Sequence, residues 1–346
     1  MPRTRTLLPL LSCLLTACTV AVPGTPVAVP NPKKPKPPLT IVLISPPGTD
    51  PAGKKLADAV KAYAAKRKGK VTELKTTGNP STDGTVLSRA AQQKATVVVV
   101  AATVAADKLA PAIMSNTKQK FLVIGNCLGG TPPAHMTCTQ NRDQEGVFLL
   151  GAEAGLLSTT GKVGSVVAVN TIPELKRFSA PFGQGAAAAK PGTTFQEAAI
   201  GTGTDGRAFN DPVKAGQLAT QLGASHVMTS AFGGNAGVFQ AAKAGGFGVF
   251  GMLEQDCADG GGTVVDTLVS HPDVVIKDAM DAIDAGQPGR LRSYGLKENA
   301  LSVHALEADV ATAQCTIAGK AEVIAKVREL REKIVTGELA VADPAK

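Results

Sequence analysis

Phe209-Asn210-Asp211-Pro212 is a compact group of residues able to hold a small molecule. Phe209 offers a flat π-face that can stack a planar ring for roughly 1 to 3 kcal/mol, or simply pack where two lobes meet. Asn210 and Asp211 fit a helix N-cap, with Pro212 at the first helical position. Downstream, Gly233 and Gly234 follow an apolar run and would let backbone approach a ligand closely. Asn235 to Val238 then opens a helix whose first N–H groups lack internal partners and suit a ligand oxygen; an ordinary strand-to-helix turn explains the same residues.

Two glycine patterns point towards phosphate chemistry, and both fall short. Gly48-Thr49-Asp50-Pro51-Ala52-Gly53-Lys54-Lys55 nearly fits GxxxxGK[ST], but Lys55 stands where a hydroxyl should ligate Mg²⁺. Gly201-Thr202-Gly203-Thr204-Asp205-Gly206 fits GxGxxG, yet Phe209 to Pro212 interrupts where the helix should already run, so a turn needing positive φ is the better reading. No enzyme and no cofactor are expected. The histidines His135, His226, His271 and His304 are scattered and there is no CxxC pair, so no metal site is expected either.

Cysteine usage fits export. Beyond Cys13 and Cys18, the four that remain are Cys127, Cys138, Cys257 and Cys315, which read as two disulfides with three possible connectivities. Cys138 lies eleven residues after Cys127 across Gly129-Gly130 and Pro132-Pro133, a loop able to fold back on itself. Cys127 with Cys138 is therefore the expected pair, leaving Cys257 for Cys315.

The N-terminus agrees with export. Arg3 and Arg5 precede an apolar run from Leu7 to Leu15, too short to span a membrane as a mature helix, so residues 1–17 read as a signal peptide. Leu15-Thr16-Ala17-Cys18 resembles the bacterial lipoprotein signal, which makes Cys18 the expected lipid anchor and the cell membrane, facing outwards, the expected location. Residues 18–38 carry seven prolines, three lysines and no acid: an extended tether rising roughly 3.1 Å per residue. The formal charge of +8 is largely local. Without Arg3, Arg5, Lys33, Lys34 and Lys36 there remain 31 basic against 28 acidic residues. With 3% aromatics and no Trp, nucleic acid is not an expected partner.

The elements that must position these residues alternate. Leu39 to Ile44 reads as a buried strand and Lys54 to Lys68 as a helix with Leu56, Val60 and Tyr63 on one face. The pattern continues with strands at 71–74, 96–100 and 121–124, then at 163–169, 194–200, 226–230 and 248–252, separated by helical stretches. Such alternation predicts an α/β protein with two doubly wound parallel-sheet lobes, and ligands in that architecture sit outside the carboxyl ends of the strands.

A set of spaced motifs then narrows the reading. Glu145 to Gly151, Gly161-Lys162-Val163-Gly164, Lys176-Arg177-Phe178 with Phe182-Gly183 and Gly185, Ala208 to Lys214, Gly233 to Val238 and Ala241-Ala242-Lys243 occur in order, and Val327 to Glu338 supplies a closing helix. Together they resemble the basic membrane protein family of ABC-transporter solute-binding lipoproteins, whose best-known members are purine nucleoside receptors. The resemblance implies a type I periplasmic-binding-protein fold, with lobe 1 at 39–140 plus 264–286 and lobe 2 at 141–263 plus 287–346. It also implies a monomer that binds a small polar solute between the lobes and delivers it to an inner-membrane permease. Carried over residue by residue, it points to Asp50, Asn126, Phe209, Asp211, Gly233, Gly234 and Asn235 as ligand contacts.

The departures matter as much. The family's first-lobe Asp-x-Ser-Phe-Asn loop reads here Asp50-Pro51-Ala52-Gly53-Lys54, without the second aromatic plate, and Gly125-Asn126 stands where relatives tend to carry an Asp. Leu253 replaces the acid that would meet ribose hydroxyls, and Ser270 aligns near an expected Lys. Each such charged hydrogen bond is worth roughly 1.5 to 3 kcal/mol, so a nucleoside-like or other heterocyclic ligand is expected in place of an ordinary nucleoside. The alternative is a cell-envelope sensor or interaction module that has lost nucleoside binding.

Overall fold

Thr40–Ser45 forms β1, buried along nearly its whole length, as its unbroken apolar sequence requires. The computed structural model describes residues 38–47, 51–77, 79–101, 106–125, 127, 131–203 and 206–346. The signal peptide, Cys18, the tether, Asp50 and Asn126 lie outside the described residues.

After β1 come α1 (Pro51–Lys66), β2 (Lys70–Lys75), α2 (Pro80–Gln92), β3 (Val97–Val100), α3 (Ala106–Ser115), β4 (Phe121–Ile124) and β5 (Met136–Asn141). Then follow α4 (Asp143–Leu157), β6 (Lys162–Val169), α5 (Ala180–Ala189), β7 (Thr194–Gly201), α6 (Pro212–Gln221), β8 (His226–Ser230), α7 (Asn235–Gly245) and β9 (Gly248–Gly251). The chain ends with α8 (Asp256–Asp259), β10 (Val264–Ser270), α9 (Pro272–Asp284), β11 (Leu291–Tyr294), β12 (Leu301–Val303) and α10 (Ala321–Thr336).

These strands make two six-stranded sheets, ordered β11-β5-β4-β3-β1-β2 and β12-β10-β9-β8-β6-β7. The first is parallel throughout; in the second only β12 runs antiparallel, against β10. Each lobe reverses its strand order once, between β1 and β3 and between β6 and β8. Those two switch points are where the loops leaving the strands part and a crevice opens.

The two-lobed architecture agrees with the sequence, but the lobe boundaries do not. Residues 264–286 were expected in lobe 1, yet β10 stays in the second sheet beside β9, and only α9 crosses over. There Ile276, Ala279, Met280 and Ile283 pack against Val60, Tyr63 and Leu43. Likewise β11, expected in lobe 2, joins β5 in the first sheet. A strand-then-helix pattern reveals the elements, but which sheet edge accepts the strand depends on pairing partners far away in sequence.

The chain therefore crosses between lobes three times, at Arg142, at His271 and at 295–300. Hydrogen bonds tie these crossings into one hinge. Arg142 donates to Glu145 at 2.5 Å and to Glu298 at 2.6 Å, while Glu145 and Glu298 accept from the backbone N–H groups of Leu296 and Gly295. The His271 N–H donates to the Ala300 carbonyl at 2.9 Å.

Helices α4 and α5 meet backbone to backbone. A Cβ on Gly151 would lie 2.0 Å from the Phe182 carbonyl oxygen, and one on Gly185 would lie 1.9 Å from that of Phe148, so both positions must be glycine. Cys127 is bonded to Cys138 beside β5, and Cys257 to Cys315 across 58 residues of sequence. His304 lies close to the second pair, but both of its sulfurs are already spent on each other. Among the described residues, no helix is long and apolar enough to cross a membrane.

Candidate functional site

Where the first turns of α1 and the turns after β6 and β9 meet the hinge, the lobes line a cavity of about 320 Å³. Lobe 1 supplies Pro51, Ala52 and Lys55 from the first turns of α1, and the hinge supplies Asn141, Asp143 and Ser270. Lobe 2 supplies Phe178, the Met252 to Gln255 turn, Leu268 and Leu301. The lining is thus apolar on the lobe 2 side, with a few convergent polar groups, as small-molecule sites usually are.

One ion pair spans the cavity. The Lys55 ammonium donates to both Glu254 carboxylate oxygens, at 2.6 and 2.9 Å, and to the Ser270 carbonyl at 2.7 Å. Glu254 also accepts from the Ser270 N–H at 3.1 Å, so lobe 1, lobe 2 and the hinge meet at one point. The turn that presents Glu254 is shaped by Asp256, whose carboxylate accepts from the Met252 and Leu253 N–H groups at 3.0 Å each. Burial pushes the Asp256 carboxyl up to about 6, against the pull of those two donors.

Asp143 opens α4 at the back of the cavity. Removal from water pushes its carboxyl up to about 6, although nearby Arg177 and a hydrogen bond with Asn141 favour the charged form. Arg177 itself grips Asp343 with a fork of two 2.8 Å bonds, which fixes the C-terminal tail to the turn carrying Phe178.

The expected contacts divide. Phe209 sits partly buried against the lobe 2 core, its ring centroid 5.3 Å from that of Phe232 and tilted 52° to it. Asp211 caps α6 by accepting from the Lys214 N–H at 2.9 Å. The space beside Gly233 and Gly234 is taken by the chain itself. A Cβ on Gly233 would lie 2.4 Å from Asn210 Oδ1, and one on Gly234 3.3 Å from the Asp211 carbonyl oxygen, so these glycines admit the 209–211 loop. Asn235 does open α7, but its carboxamide oxygen is spent on Thr229 and the Ala231 N–H. Gly233 and Asn235 border a second, open groove of about 540 Å³ shared with Phe232, Leu253 and Gln255.

Sequence reasoning did not assign Lys55, Glu254, Asp143, Phe178 or Phe232 to a site. Phe178 carried a signal, since it stands in the Lys176-Arg177-Phe178 motif. Glu254 did not, because its partner lies 199 residues away.

Comparison with known proteins bears on the family and the fold. Residues 48–343 match the Bmp family model, described as ABC transporter substrate-binding protein PnrA-like. A CD4+ T-cell-stimulating antigen of Listeria monocytogenes is 28% identical over 226 residues, 58% of each chain, so the match spans little over half the length of that curated relative. Among solved structures, an ABC transporter solute-binding protein from Aeropyrum pernix K1 superposes with a TM-score of 0.66 at 19% identity, covering 89% of this chain and 94% of that one. Another from Conexibacter woesei gives 0.67 at 19% identity, covering 88% and 99%.

Proposed function

The chain belongs to the PnrA-like family of ABC transporter substrate-binding proteins, and from that premise we propose that it is a lipid-tethered receptor that captures a nucleoside-like or other heterocyclic solute between its lobes for an inner-membrane permease. The observation that carries this reading is the 320 Å³ cavity at the hinge, walled by both lobes and by two of the three crossings. A ligand bound there touches surfaces that only closure brings together. Its binding energy therefore favours the closed form, and a permease that reads the closed form receives only loaded receptor. Phe178 lines this site, while Asn141, Asp143, Glu254 and Gln255 offer hydrogen bonds to the edges of a ligand, the three Lys55 donors being taken by Glu254 and the Ser270 carbonyl. Leu253, lining the cavity where an acid would grip two hydroxyls, argues against an ordinary ribose.

The test is a native mass spectrum of gently purified protein, followed by a thermal-shift panel of nucleosides, nucleobases and sugars. A ligand at a hundredfold excess over its Kd stabilises by about 2.7 kcal/mol, a rise of several degrees for a chain of this size. A selective shift with ring-bearing solutes is expected. A protein that carries nothing and responds to nothing in the panel would instead be an envelope interaction module.

A further inference from the structure

Phe232 stands in a backbone conformation that phenylalanine does not favour. Its φ is +55°, in the left-handed region where a Cβ crowds the following carbonyl oxygen. Among the described residues four other non-glycine positions have positive φ, and all are polar: Lys68, Lys94, Asn299 and Gln314. Burial repays the strain only in part, for Phe232 is 44% exposed. Glycine would serve the fold better, and strain of this kind collects at binding sites.

Its place in the fold explains what the ring can do. Phe232 follows β8 directly, at the carboxyl edge of the second sheet beside the switch point between β6 and β8. Phe209 backs one side of it, itself packed against the lobe 2 core. Phe232 also lines the open groove, and so does Leu253, a second large apolar residue left 38% exposed. Leu253 and Gln255 also line the hinge cavity, so the groove adjoins the cavity at these two residues. Polar side chains of Gln255, Gln240, Lys243 and Asp259 lie around it.

We propose that Phe232 is the ligand-facing plate of lobe 2, stacking on a planar unsaturated ring whose polar edge meets the surrounding side chains, with Phe209 as its support. This rests on the reading of the chain as a heterocycle receptor. It relocates the stacking face from Phe209 to a residue whose backbone strain is otherwise unexplained.

Substitution to glycine separates binding from folding, because glycine relieves the strain. Phe232→Gly trades the contact with Phe209 for relief of the strain, so it should stay folded and melt within a few degrees of the wild type, yet bind the responding solute at least fivefold more weakly in calorimetry; the probes are adenosine, uridine, adenine and D-ribose. The chain contains no tryptophan, so Phe232→Trp places a single reporter at the site, and its emission should be quenched by the same ring solute. If the wild type binds a ring solute and Phe232→Gly binds it within twofold, the plate is wrong while the proposed function stands. If the wild type responds to D-ribose alone, or to no probe, the heterocycle reading fails and the plate falls with it.

Discussion

Removing the Lys55 ammonium should loosen the closed arrangement of the lobes by a measurable and bounded amount. Lys55 and Glu254 approach to 2.6 Å, but their side chains remain 39% and 33% exposed. Two unit charges about 3 Å apart attract by roughly 1.5 kcal/mol in a water-like medium and several times more in a protein-like one. Against this, holding a lysine in one rotamer costs up to about 2 kcal/mol, and measured exposed pairs give only about 0.2 to 1 kcal/mol. The extra bond to the Ser270 carbonyl lifts the pair to the top of that range. A coupling of about 1 kcal/mol follows, close to a fivefold change in the ratio of closed to open molecules.

A double-mutant cycle of Lys55→Met and Glu254→Gln, read by chemical denaturation and by small-angle scattering, isolates that coupling. Lys55→Met also gives up the bond to the Ser270 carbonyl, which cancels in the cycle, and Glu254 keeps its bond from the Ser270 N–H, so the coupling belongs to the ion pair between the lobes. Raising salt from 0.1 M to 1 M, which shortens the Debye length from about 10 to 3 Å, should expand the wild type and leave the double variant unchanged. A coupling below about 0.3 kcal/mol with identical radii of gyration for all four proteins would refute the argument.

Three more outcomes are expected. Glu153 and Asp266 face each other fully buried in lobe 2, and burial raises both carboxyls, Asp266 to about 7. Their stabilising contribution is complete below the unfolded carboxylate range and is lost as pH rises through about 7, so the wild type should be more stable at pH 5 than at pH 8. Glu153→Gln should flatten this dependence in melts across that range. Replacing both Cys257 and Cys315 by Ser opens a 58-residue loop and should cost about 4 kcal/mol, against about 3 for the 11-residue loop of Cys127 and Cys138, as denaturation will measure. Cys18→Ser should move the protein from the membrane fraction to the soluble exported fraction on fractionation of cells.

The alternation of strands and helices was legible because each element carries its own periodicity. Val97 to Val100 can only be a buried strand, and Asp211-Pro212 can only start a helix. The destinations of β10 and β11 were not legible, since both depend on which sheet offers a free edge. The same division runs through the site. Local signals identified the Asp211 cap and the α7 start, but they carried no sign that Asn210 fills the room beside Gly233. Phe232 escaped notice because its significance is a dihedral angle and an exposure, neither of which is written in residue type.

Lys55 shows how a loss in sequence need not be a loss in space. Along the chain, an acid at position 253 and a lysine near position 270 are both missing, which reads as a cleft stripped of its charged contacts. In three dimensions an acid stands one residue later, at Glu254, and an ammonium reaches the Ser270 carbonyl from α1 in the other lobe. The charges are therefore present at the same corner of the cavity, but they arrive from opposite lobes and are already paired with each other. A ligand hydroxyl can still bond to the outer face of such a pair. A fully charged ligand must break it and leave one member unpartnered, so neutral, polar-edged molecules are the expected ligands of the proposed site, and ions of either sign are expected to bind it more weakly.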